Sequence, residues 1–215
     1  MRTDVAVLFD LDGVLVDSRI HHLRAWQQFA KQRQLAVPAN YFEQTFGLRN
    51  DAILGGLIDG LTSDDIERLG GEKEQIFRQL ARANLELLPG VPALLAFLDD
   101  HQIPKAVVTS TPRPNLDMIL DSLAIARYFQ TTVTAEDTSK GKPDPEGFLL
   151  AAHRPDVPSE NAVVIEDAPA GIDAAKAAGM RAIAVTTTHP APDLAAADLA
   201  VDSLAEEVVR TFIIR

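Results

Sequence analysis

The stretch VAVLFDLDGVLVDS, residues 5–18, decides the fold. Five apolar residues, Val5–Phe9, run without interruption into Asp10, with Asp12 and Gly13 close behind. A short β-branched run bounded by acids and glycine suits a strand buried on both faces, as in parallel sheets. Working outward, the signature returns. Lys105–Thr109 reads KAVVT, Ala162–Ile165 reads AVVI and meets Glu166 and Asp167, and Ala182–Val185 reads AIAV. Thr131–Thr134 and Asp198–Val201 are weaker strand candidates. Helical patterns lie between these runs. Val91–His101 follows Pro89-Gly90. Pro112–Leu123 is predicted to start with Thr111 as N-cap and Pro112 at the first helical position. Asp144-Pro145-Glu146 opens another helix, and Ala168–Ala178 stops at Gly179. Ser203 with Glu206 three residues later predicts a capping box for the last helix. The alternation implies an α/β fold: a Rossmann-like, three-layer α/β/α core around a parallel sheet.

Asp17–Leu87 differs, because it holds no convincing strand. Ile20–Arg33 is amphipathic, with Leu23, Trp26, Phe29 and Ala30 at helical spacing. Asn40–Phe46, Asn50–Ile58, Ser63–Leu69 and Glu72–Leu85 read as further helices, and Thr62-Ser63-Asp64-Asp65 as a helix start. The predicted organisation is an α/β core from residues 1–16 and 88–215, interrupted by an all-α cap over residues 17–87. The hinges fall near Val14–Asp17 and Leu87–Gly90.

The chain has 215 residues, 47% of them apolar, and a formal charge of −11. That apolar content excludes dominant disorder. The acidic balance argues against nucleic acid or an anionic membrane as the main partner, since both want clustered Lys and Arg. Absence of cysteine removes disulfides, zinc–thiolate sites and cysteine nucleophiles together, and fits a reducing compartment. The apolar run Val91–Leu98 falls far short of a membrane span. The segment MRTDVAVLFD reads as a strand and not as a signal peptide. A cytoplasmic monomer is expected.

In an open parallel sheet, ligands bind beyond the carboxyl ends of the strands. The residues expected there are Asp10 and Asp12, the hydroxyl cluster Thr109-Ser110-Thr111, Lys142 in a Gly-Lys-Pro loop, and Glu166-Asp167. Carboxylates with phosphate oxygens are a usual Mg²⁺ environment, because Mg²⁺ is hard and takes oxygen ligands. A lysine and a hydroxyl opposite them complete a cradle for a transferring phosphoryl group. Each element alone has a duller explanation, such as a turn for Asp-x-Asp-Gly or a solvated lysine for Lys142. The ordered set outweighs them.

With these motifs the chain resembles the haloacid dehalogenase superfamily, in the phosphotransferase subfamily with a helical cap inserted after the first strand. Asp10-Leu11-Asp12-Gly13-Val14 matches its first motif, Thr109 the second, Lys142 the third and Glu166-Asp167 the fourth. The segment EDAPAGIDAAKAAG, residues 166–179, is similar to the sugar-phosphate and polyol-phosphate branch, which includes β-phosphoglucomutase. It departs from the commoner pattern by having Glu166 where glycine is usual and Gly171 where aspartate is usual. The resemblance implies that Asp10 attacks phosphorus to give an aspartyl-phosphate and that Asp12 is the general acid and base. It implies Mg²⁺ bound by the Asp10 carboxylate, the Asp12 backbone carbonyl and the Asp167 carboxylate, with Glu166 ordering its waters.

In this family the cap selects the substrate. His21, His22, Arg49 and Lys73 are the cap candidates. The resemblance aligns His22 with a histidine near the catalytic acid, Arg49 with an arginine that holds the distal phosphate of the mutase substrate, and Lys73 with a mutase cap lysine. Core packing for Trp26, a surface position for Arg49 and a solvated helix face for Lys73 stand as alternatives. On the core side, Ser110, Thr111 and Arg113 are candidates for substrate contact. His101, His153 and His189 are expected to be structural or solvated. The expected function is a Mg²⁺-dependent phosphatase of a small sugar or polyol phosphate. The alternative is a β-phosphoglucomutase-like isomerase working through a bisphosphate.

Overall fold

The computed structural model describes residues 5–153 and 157–215; the first four residues of the predicted core lie outside them. Six parallel strands form one sheet: β1 (Ala6–Phe9), β2 (Lys105–Val108), β3 (Thr131–Val133), β4 (Ala162–Glu166), β5 (Arg181–Val185) and β6 (Leu199–Val201). Their order is β3-β2-β1-β4-β5-β6. The chain winds outward from β1 to β3, returns to β4 on the other side of β1, and winds outward again. The switch point therefore lies beside β1, where an open parallel sheet leaves a crevice at its carboxyl edge. Register levels the strand ends there: Phe9 pairs with Val107 on one side and with Ile165 on the other.

The alternation of side chains explains why these runs are almost wholly apolar. Val5, Val7 and Phe9 join one buried cluster with α5 (Val91–Asp100), α6 (Arg113–Ser122) and α9 (Glu207–Ile213). Leu8 points the other way, into a second cluster with α7 (Glu146–His153) and α8 (Pro169–Ala177). Both faces are covered, so no position in the central strands is left for a solvated residue.

Four helices lie between β1 and α5: α1 (Arg19–Gln32), α2 (Tyr41–Gln44), α3 (Asn50–Gly55) and α4 (Ser63–Ala81). Trp26, Phe29, Phe42, Leu54 and Phe77 are buried among them. The two connections to the core run side by side. Val16 bridges Leu87, and the Leu88 N–H donates to the Leu15 carbonyl at 3.1 Å.

The structure corrects three helix boundaries. Ser63–Leu69 and Glu72–Leu85 are parts of one helix, α4, which passes through Gly70-Gly71. Glycine costs roughly 1 kcal/mol in a helix interior, but Leu69, Ile76 and Phe77 continue the same buried face and outweigh it. Thr62 fixes the start through a capping box with Asp65. Helix α6 has Pro112 at its N-cap position, and Thr111 does not cap it. Ser203 and Glu206 close a turn ahead of α9, which starts only at Glu207.

Candidate active site

Asp10 is the first residue past β1, and its N–H donates to the Ile165 carbonyl at 3.0 Å, extending the ladder with β4. Glu166 ends β4, and Asp167 follows. All three carboxylates are buried. Lys142, from the loop before α7, places Nζ 2.5 Å from both Asp10 Oδ1 and Glu166 Oε1 and 3.3 Å from the Val108 carbonyl. Thr109 Oγ1 accepts the Thr111 N–H at 3.0 Å, and Ser110 lines the same cleft. Thr111 donates from Oγ1 to Asp12 Oδ2 at 2.6 Å, which is why it is not free to cap α6. Ser18 donates to the other oxygen of Asp12.

Two glycines let these acids approach. Gly13 has φ +85°, a left-handed conformation that a side chain would strain, and any Cβ there would overlap the Asp167 carboxylate. A Cβ at Gly171 would overlap the Glu166 carboxylate. The departure from the commoner pattern thus has a steric basis: the longer side chain from the strand end fills the space next to residue 171. Glu166 Oε2 is held there by the N–H groups of Asp167 (2.8 Å) and Ala168 (3.0 Å).

The charges are unequally compensated. Burial pushes the Asp10 carboxyl up, Lys142 offsets part of this, and Glu166 and Asp12 add repulsion, leaving it at about 8. Burial also drives Asp167 well above the usual carboxylate range, with Glu166 and Asp10 adding to the effect. For Lys142, burial acts downward, but Asp10 and Glu166 together raise it well above its ordinary value. Asp12 behaves oppositely. Burial would raise it, but His22, Ser18 and Thr111 hold it down at about 2.

The helical side contributes His22 and Lys73. His22 Nε2 lies 3.4 Å from Asp12 Oδ1, and Lys73 donates to Nδ1 at 2.9 Å. That leaves the ring proton on Nε2, toward Asp12. The His22 ring stacks on Phe77 at 3.9 Å. Lys73 is buried, not on a solvated helix face, and pairs with Glu74 at 2.8 Å. Trp26 is buried and stacks on Phe42 at 5.5 Å, while also lining the cleft.

Three candidates do not reach this cleft. Arg49 lies over Gly141 and donates to the Thr138 carbonyl at 3.1 Å. Arg113 donates to Thr132 Oγ1 and Asp137 Oδ2, at 2.5 and 2.7 Å. His21 pairs with the Asn84 carbonyl at 3.2 Å. His189, expected to be structural or solvated, has Nδ1 3.0 Å from the Asp167 carbonyl. The sequence reading also missed a cluster after β5. Thr187 donates to the Gly13 carbonyl, and Thr188 donates to the Asp167 carboxylate. The signal was present: Thr186–His189, TTTH, follows a strand at the carboxyl edge. Ser18, Glu74 and Asn115 were missed too: Asn115 meets Glu74 across 41 residues, while Ser18 and Glu74 lie near their partners Asp12 and Lys73 in the chain but carry no motif that marks them.

The profile of the haloacid dehalogenase-like hydrolases matches residues 7–185. The chain belongs to that family. It is 36% identical to the β-phosphoglucomutase of Bacillus subtilis over 193 residues, covering 86% of this chain and 84% of that protein. It is 35% identical to hexitol phosphatase A of Escherichia coli over 202 residues, covering 94% and 92%. The crystal structure of a mutant of CbbY from Rhodobacter sphaeroides, in complex with xylulose-(1,5)bisphosphate, superposes with a TM-score of 0.84 at 26% identity, covering 94% of this chain and 95% of that one. The chain is thus a haloacid dehalogenase-like enzyme whose relatives include phosphatases and a phosphomutase. Among the described residues no helix is long and apolar enough to cross a membrane.

Proposed function

We propose that the protein is a Mg²⁺-dependent phosphatase of a small sugar or polyol phosphate, working through an aspartyl-phosphate on Asp10. The carrying observation is Lys142 Nζ held 2.5 Å from both Asp10 and Glu166 at the mouth of β1. A cation in that place neutralises charge on the phosphoryl oxygens as an Asp10 oxygen attacks phosphorus. The P–O bond to the alcohol breaks, and Asp12 gives its proton to the leaving oxygen. Asp12 then takes a proton from water, which attacks the acyl-phosphate and releases phosphate and free Asp10. A pKa of about 2 keeps Asp12 deprotonated, the form in which the second half-reaction needs it. The first needs Asp12 protonated, so its contacts with His22, Ser18 and Thr111 must loosen as substrate enters.

The donor set fits Mg²⁺. Among the described residues no group of three or more His, Cys, Asp or Glu side chains forms a closed metal cage. Mg²⁺ needs no such cage, since it keeps several waters and takes one or two carboxylates with substrate phosphate. The raised Asp10 and Asp167 carboxyls mark uncompensated negative charge, which a divalent cation relieves. Asp10, Asp167 and the Asp12 backbone carbonyl would hold it, with Glu166 beside them. When bound, it polarises phosphate oxygens and lets an anionic substrate enter an acidic cleft. Residues 17–87 would act as the substrate-selecting cap over a core of 1–16 and 88–215.

The test is phosphate release from p-nitrophenyl phosphate and from hexose phosphates, dependent on Mg²⁺ and abolished by Asp10→Asn. Full turnover in Asp10→Asn would remove the nucleophile. The His22–Lys73 pair beside Asp12 favours a second reading, a β-phosphoglucomutase-like isomerase. β-Glucose 1-phosphate supplied with a trace of glucose 1,6-bisphosphate separates the two. Glucose 6-phosphate formed without free phosphate would establish the mutase.

A further inference from the structure

The helical side of the cleft holds a buried charge that phosphate transfer on the core side does not use. Glu74 follows Lys73 in α4, and the two are 3% and 2% exposed. Glu74 Oε1 accepts from Lys73 Nζ at 2.8 Å and from Asn50 Nδ2 at 2.9 Å. Its Oε2 accepts from Asn115 Nδ2, on core helix α6, and Arg78 Nη1 donates to Asn115 Oδ1 at 2.6 Å. Glu74 is thereby fixed as a carboxylate against the one ammonium group that the helical insertion brings to the cleft wall. Burial works against its ionisation, but Lys73 and His22 prevail, and its pKa is lowered.

We propose that Glu74 determines charge specificity: by neutralising Lys73 it confines the cleft to esters carrying a single phosphate, with an uncharged leaving group. This rests on the phosphatase reading and narrows its substrate class. A phosphate dianion at the core edge has Lys142 and the cation expected between Asp10 and Asp167. A second phosphate, at the far end of the same molecule, would meet the neutralised Lys73–Glu74 pair and the rings of Trp26, Phe42 and Phe46. The residues lining the cleft include five carboxylates against two lysines, both of them paired. Arg49 is turned away onto the Thr138 carbonyl, with Asp51 3.6 Å from its Nε. Burying a dianion without a paired cation is strongly unfavourable, whereas a hydroxylated carbon skeleton can lie against aromatic faces.

The experiment measures inhibition constants of glucose 6-phosphate and glucose 1,6-bisphosphate against p-nitrophenyl phosphate turnover, with Mg²⁺ present. In the wild type the bisphosphate should be the weaker competitor, by about fivefold or more. Glu74→Gln frees the Lys73 charge and should move the ratio about tenfold toward the bisphosphate. Removing both charges, in Lys73→Gln/Glu74→Gln, should return the ratio toward the wild type, which a merely structural role of Glu74 would not do. Tighter bisphosphate binding in the wild type, or an unmoved ratio in Glu74→Gln, overturns the proposal. If Glu74→Gln does not fold, the wild-type ratio decides on its own, tighter bisphosphate binding overturning the proposal. Absence of any turnover would instead count against the phosphatase reading, and the same ratio is then read by calorimetric binding.

Discussion

Two lysines, Lys73 buried and Lys142 partly buried, sit on opposite walls of the cleft, and their surroundings differ in kind. Lys142 belongs to the core edge and joins Asp10 to Glu166, which extend from neighbouring strands. Lys73 belongs to the helical insertion, and its carboxylate partner is the next residue in the chain. The core pair is assembled by the sheet and exists because three strand ends meet. The helical pair is a local neutralisation pinned to the core through Asn115. Both are paired before any ligand arrives, but under the proposed mechanism Lys142 lies beside the nucleophile Asp10, where charge would develop at phosphorus, whereas Lys73 balances Glu74 away from it.

That contrast can be broken most directly at the lysines. Lys142→Met should lower kcat/KM for p-nitrophenyl phosphate by about 10³-fold, the scale of losing a principal charge-stabilising group. Lys73→Met should cost far less, and an equal loss would end the distinction. Thr188→Val comes next. It removes the hydroxyl that holds the Asp167 carboxylate and should weaken Mg²⁺ binding by about 10- to 100-fold, read by titration calorimetry, with Thr188→Ser recovering most of it.

Glycine substitutions sharpen the same comparison in stability. Gly171→Ala drives a methyl group into the buried Glu166 carboxylate and should destabilise by about 1–3 kcal/mol in chemical denaturation. Gly71→Ala in α4 meets nothing within 4 Å and should stabilise by up to about 1 kcal/mol through helix propensity. One substitution thus carries opposite signs in the two halves. The neighbouring Gly70→Ala should gain less, because its Cβ would lie 3.3 Å from Asn50 Nδ2.

The core was largely legible because its signals are local. Each buried parallel strand must be apolar on both faces, so Val5–Phe9, Lys105–Thr109, Ala162–Ile165 and Ala182–Val185 stand out. The acids that end two of these strands fall at the carboxyl edge by topology. The helical insertion was less legible. Gly70-Gly71 reads as a break, and only the continuous packing of Leu69, Ile76 and Phe77 shows that α4 passes through it. Arg49 and Arg113 read as substrate contacts by alignment and charge, but nearby acceptors, the Thr138 carbonyl and Asp137, hold them elsewhere.

Sequence alone determined the α/β alternation, the helical interruption after β1 and the acids, hydroxyls and lysine of the core edge. Periodicity and strand-end position are properties of the chain taken a few residues at a time. Only the tertiary structure decided that Thr111 serves Asp12, that Thr188 holds Asp167, and that Glu74 is locked between Lys73 and Asn115. A hydrogen bond or a charge pair is fixed by separation in space, and apart from Lys73 and Glu74 these partners lie 21 to 99 residues apart along the chain.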